Sequence, residues 1–81
     1  MHHARLAHSP RLIRALRVLM EAERPVTTRA LMRRAHICAV NAVVAELREN
    51  GAVIACWQKV MPDGQRRWFY RLLQAPEGWD A

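Results

Sequence analysis

Between Ser9 and Asn50 the apolar positions recur every three or four residues, and beyond Gly51 they recur every second one. The first period belongs to helices and the second to strands. The helical part opens at Ser9-Pro10, a capping residue followed by proline at the first helical position. Leu12, Ile13, Leu16, Leu19 and Met20 then make one face, and Arg11, Arg14 and Arg17 stand on the other, solvating its back. This pattern predicts a first helix over about 10–22. It ends before Arg24-Pro25, because a residue ahead of proline avoids the helical region. Thr27 or Thr28 caps a second helix over about 28–35, with Leu31 and Ala35 inward. His36-Ile37-Cys38 is a tight connection without glycine, so a residue less suited to the turn must make it. A third helix over about 38–50 follows, with Val40, Val43, Val44 and Leu47 inward and Asn50-Gly51 as its stop.

The strand-like runs are Ala52–Trp57 and Arg67–Leu73, separated by the turn signal Pro62-Asp63-Gly64. They predict a β-hairpin with its tip near Met61–Gln65. In the second run Trp68, Tyr70 and Leu72 share a face, with Arg67, Phe69 and Arg71 opposite. The aromatics Trp57, Trp68, Phe69 and Tyr70, interleaved with Arg, could stack on single-stranded bases. They are expected instead to cover the helices, since a small core needs them; Phe69 is the exception and falls on the other side. The fold class is α+β, organised as a flexible arm (1–8), one domain (9–73) and a tail (74–81) in which Trp79 is the available anchor.

Composition narrows the functional classes. Eighty-one residues make one domain, and a chain of this size hides only about 60–65% of its unfolded surface, too little for a deep preorganised cleft. A content of 52% hydrophobic and 25% charged residues excludes disorder. No apolar run reaches the roughly 18 residues of a membrane span, and Met1–Arg5 lacks a secretory apolar stretch, so a cytoplasmic protein is expected. Cys38 and Cys56 form no CxxC pair and are expected to be reduced and buried. His2, His3 and His8 have no further ligands at metal-binding spacing, so neither metal nor other cofactor is expected. Without a Ser-His-acid set, paired carboxylates in an apolar setting or a glycine-rich phosphate loop, the chain does not read as an enzyme, and no small-molecule ligand is evident. His36 reads as structural.

The net charge of +6 points to nucleic acid, because clustered cations bind phosphate. Of the 13 basic residues only Lys59 is a lysine, and arginine suits bidentate phosphate and guanine contacts. An Arg- and Ala-rich composition equally follows from a GC-rich genome.

Helix, helix, turn, helix and hairpin in this order resemble the winged helix-turn-helix, with three helices followed by a two-stranded β-hairpin wing. Pro25-Val26-Thr27-Thr28-Arg29-Ala30-Leu31 is similar to the start of the second helix in bacterial winged-helix regulators. Cys38 through Arg48, then Gly51 and Tyr70-Arg71-Leu72, resemble small helix-turn-helix proteins of phages and prophages. The resemblance covers residues 9–73. It implies a DNA-binding protein that regulates transcription, with the third helix in the major groove of double-stranded DNA and the second helix and wing on phosphates.

Carried over by position, Thr27, Thr28 and Arg29 are the phosphate-facing start of the second helix, with Arg33 and Arg34 beside them. Asn41, Ala42 and Ala45 are the groove-facing residues of the third helix, with Arg48 at its end. Lys59, Gln65, Arg66 and Arg67 are the wing contacts. Asn41 can pair with adenine, and Ala42 and Val43 can meet a thymine methyl. The third helix departs from a strong reader, because it has no cation before Arg48 and carries Glu46 and Glu49. The alternative is a protein-interaction module or homodimer that uses the apolar face at Ala42, Val43 and Ala45.

Overall fold

The computed structural model describes residues 5–79. Helix α1 (Pro10–Glu21) buries Leu12, Ala15, Leu16 and Leu19, a stripe at three- and four-residue spacing. After it come a two-residue strand β1 (Val26–Thr27) and helix α2 (Thr28–Ala35). The Thr27 side chain caps α2, its Oγ1 accepting from the Ala30 backbone N–H at 3.1 Å. Helix α2 ends on His36, whose φ of 55° and ψ of 51° lie in the left-handed region. The glycine-free turn is therefore closed by a strained residue, and the Ile37 N–H returns to the Met32 carbonyl at 3.1 Å.

Helix α3 (Val40–Glu49) begins two residues later than its apolar period predicts. Cys38 and Ala39 belong to the turn, and Ala39 has no side-chain oxygen to cap the helix. At the other end, Gly51 takes φ 102° as the sequence requires, and the Ala52 N–H closes on the Leu47 carbonyl at 3.0 Å.

Strands β2 (Val53–Val60) and β3 (Arg66–Gln74) form the hairpin. Its tip is held by the Met61 N–H to the Gln65 carbonyl at 2.7 Å and the Gly64 N–H to the Met61 carbonyl at 2.8 Å. The sheet has three strands, not two, because β1 adds to β3 with Val26 opposite Tyr70 and Thr27 opposite Phe69. Its order is β1-β3-β2, antiparallel throughout.

The core joins the helical stripes to one sheet face. Leu12, Leu16, Leu31, Val43 and Leu47 are fully buried, and Val26, Ile54 and Tyr70 close it from the sheet. Leu72 and Trp79 pack against the edge of this cluster.

Several expectations are corrected. Residues 5–8 are not a loose arm: Leu6–His8 is a 3-10 turn, Leu6 is buried, and the Leu6 N–H donates to Asn50 Oδ1 at 3.0 Å. His2 and His3 lie outside the described residues. Arg11 and Arg14 do more than solvate α1. Arg11 Nη2 meets Glu46 Oε2 at 2.6 Å, and Arg14 Nε donates to the Ala35 carbonyl at 2.8 Å, tying α1 to α3 and to the turn. Cys38 and Cys56 are exposed rather than buried. Trp57 and Trp68 do not cover helices: they are 37% and 47% exposed. Trp57 lies on the sheet face opposite Ile54 and Tyr70, and for Trp68 the reason is length. Eight residues of strand reach about 26 Å, whereas the ten residues of α3 reach about 15 Å, so the distal hairpin overhangs the core.

The strain at His36 sets a stability prediction. A left-handed non-glycine residue costs about 1–2 kcal/mol, and the extra freedom of glycine in the unfolded chain offsets about 0.5–1 kcal/mol of any relief. His36→Gly should stabilise the domain by about 0.5–1 kcal/mol, raising Tm by roughly 4 °C in a thermal melt. An unchanged or lower Tm would show that the His36 side chain contributes more than its backbone costs.

Candidate nucleic-acid interface

β1 stops at Thr27, but β3 continues past its pairing with β1 toward the hairpin tip. This leaves an open groove of about 480 Å³ between the first turns of α2 and the overhanging strand. Its walls are Thr27, Thr28, Arg29, Ala30 and Arg33 on one side, and Gln65, Arg66, Arg67 and Trp68 on the other. Four guanidinium groups line it and no carboxylate does. Such a recess attracts anions, because like charges facing one groove sum their fields there. All four arginines are exposed, so their side chains are free to follow a ligand.

Seven of the residues expected to touch DNA meet in this groove: Thr27, Thr28, Arg29, Arg33, Gln65, Arg66 and Arg67. The others lie apart. Arg34 lines two other depressions, one with Ala30 and Arg33, the other bordered by Glu23 and Arg24. Lys59 pairs with Arg67 across the hairpin. Ala42 borders a depression with Arg11, Arg14 and His36. Ala45 is exposed. Arg48 is engaged within the fold, its Nη2 donating to the Ile54 carbonyl at 2.8 Å. Trp68 is the groove residue that sequence reasoning assigned to the core instead. Its signal was position, since it stands only two residues from the start of β3 and therefore on the overhang.

No known protein family, curated protein or solved structure was found to match this chain. The site therefore stands on its own geometry.

Tyr70 links the groove to α3. It lies two positions along β3 from Trp68, on the same strand face, and its hydroxyl donates to Asn41 Oδ1 at 3.3 Å. Asn41 itself is exposed on the first turn of α3. Burial raises the Tyr70 pKa above the ordinary tyrosine value, Cys56 raises it further, and Thr28 and Arg48 oppose the shift. Among the described residues no cluster of three His, Cys, Asp or Glu side chains could hold a metal ion, and no helix is long and apolar enough to cross a membrane.

Tyr70 is the only tyrosine, so phenolate absorbance reads it alone. The fold favours the protonated phenol, so its stabilising contribution is complete below the ordinary tyrosine pKa of 10.0 and is lost as pH rises through the higher folded value. A spectrophotometric titration should give a midpoint above that of the urea-unfolded chain. Tyr70→Phe should lose less stability between pH 10 and pH 12 than the parent does. Coincident folded and unfolded midpoints would refute the assignment.

Proposed function

We propose that this chain is a small winged-helix DNA-binding protein that regulates transcription, of the type carried by phages and mobile elements. The observation that carries this reading is the groove in which Arg29 and Arg33 of α2 face Arg66 and Arg67 of the hairpin with no acidic residue between them. The order of elements supports it, as does the placement of β1 against β3, which brings the start of α2 beside the hairpin. In this reading the duplex backbone lies along the groove, and the Thr27-capped start of α2 turns free backbone N–H groups toward a phosphate. The hairpin acts as the wing, and α3 presents Asn41 to base edges in the major groove.

The division of labour is unequal. Four arginines on phosphates supply affinity and register without reading sequence. Sequence reading falls to Asn41, flanked by exposed Ala42 and Ala45, and Arg48 is held by the Ile54 carbonyl. A module of this size covers one half-site, so specific binding at physiological salt calls for two copies on the DNA.

The exposed, uncharged stretch of α3 at Ala42 and Ala45 also favours a second reading, in which this face seats a partner protein or a second copy. The two readings part on ligand. DNA binding depends on the arginines of the groove, whereas protein docking depends on the alanines.

Binding to duplex DNA is expected to weaken with salt at a slope of log affinity on log salt near −4, from about four neutralised phosphates. Arg66→Ala with Arg67→Ala should reduce affinity for all sequences alike and flatten the slope by about two. Asn41→Ala should alter the preferred sequence in a selection from random duplexes. Absence of duplex binding at low salt would overturn the proposal, and a protein partner lost on Ala45→Arg would establish the second reading.

A further inference from the structure

The hairpin has a second face that the groove meets only at Arg67. Ile54, Tyr70 and Leu72 turn toward the helices, so Ala55, Trp57 and Lys59 of β2 and Arg67, Phe69 and Arg71 of β3 turn the other way. Among the described residues no helix covers this outer face. Trp57 and Phe69 are cross-strand partners at its centre, with ring centroids 6.1 Å apart and planes inclined by 16°. Lys59 and Arg67 are paired on the tip side of the rings, and Arg71 opposite Ala55 stands on the other side. Arg67 and Arg71 are four residues apart, about 13 Å along the strand. Neither strand carries an Asp or Glu.

We propose that this outer face is a stacking platform for unpaired DNA. The rings are stacked on each other and fixed by the sheet, and Trp57 keeps 37% of its surface exposed. A base can add to this stack at low entropic cost because the platform is already ordered. Three cations bracketing two rings match a chain that alternates flat bases with phosphates. An acidic peptide would use the charges but leave the rings idle. A second copy would bring the same three cations against themselves. The face offers rings for bases and cations for phosphates, and none of its side chains needs a ribose 2′-hydroxyl as partner. The occupant assigned to it is single-stranded DNA, read by stacking and charge without sequence preference.

The platform and the groove use different residues, apart from Arg67 on the rim between them, so either can fail alone. The test is an anisotropy titration of the full chain with labelled oligodeoxythymidine and, separately, with a labelled duplex, at low salt. Trp57→Leu combined with Phe69→Leu keeps apolar volume and removes the rings. It should weaken oligodeoxythymidine binding about tenfold or more and change duplex binding less than twofold. Arg71→Ala should weaken oligodeoxythymidine binding alone, and Arg29→Ala should weaken duplex binding alone. Circular dichroism melts identify variants that remain folded, and Trp57→Phe, which preserves a ring, should retain most of the single-strand affinity. The proposal is overturned if the parent does not bind oligodeoxythymidine, or if the leucine variant binds it as the parent does. Sedimentation showing Trp57-dependent self-association in place of strand binding would overturn it too. Ring-dependent strand binding without any duplex binding would leave the platform standing and remove the duplex reading.

Discussion

Two residues of β-pairing decide where every cation of the groove ends up. Val26 and Thr27 add to β3 opposite Tyr70 and Phe69. Val26 is thereby turned into the core. Thr27, one residue on, both pairs with the sheet and caps α2 through Oγ1. A single short segment thus fixes the start of α2 against the strand that runs out to the hairpin tip. Slipping this pairing by one residue would expose Val26 and bury Thr27, since side chains alternate across a strand. It would also move Arg29 and Arg33 relative to Arg66 and Arg67.

Around that junction the fold is held by few parts. Leucines from α1, α2 and α3 fill the centre, and Tyr70 closes it with its ring inside and its hydroxyl on Asn41. Polar ties sit where helix ends would otherwise leave backbone groups without partners. Arg14 serves the carbonyls of Ala35 and His36, at 2.8 and 3.3 Å, where α2 stops in its left-handed residue. Asn50 receives the Leu6 N–H and donates Nδ2 to the Glu46 carbonyl at 2.8 Å. The Arg11–Glu46 pair neutralises one of the two acids of α3, yet it is partly solvated and is worth about 0.5 kcal/mol.

How much of this was legible in the residues follows from what each signal encodes. The helices were readable because period and caps are local: Ser9-Pro10 and Asn50-Gly51 mark ends, and Leu12 to Leu19 mark a face. The start of α3 was misplaced because the apolar period extends through Ile37 and Val40 while no capping side chain marks the boundary. β1 was invisible as a strand, since two residues have no period and their pairing is made by the tertiary fold alone. For Trp68 and Cys56, alternation gives the face of a strand but not how far the helices extend beneath it, whereas Trp57 stands on the face opposite Ile54. That distance separates Tyr70, over the helices, from Trp68, beyond them. The groove's cations were readable from charge and element order. The hydrogen bond that holds Arg48 depends on the position of Ile54 and left no mark in the sequence.

The overhang of the hairpin has a consequence for how such a chain can change. From Cys56 to the tip and back to Trp68 nearly every residue is exposed, so substitutions there remove little of what keeps the domain folded. The hairpin residues proposed to meet nucleic acid and those that set the folding equilibrium are largely different sets. A small protein with few kcal/mol to spare can therefore be retargeted by exchanging hairpin side chains, as one exchanges a tool head while keeping the handle.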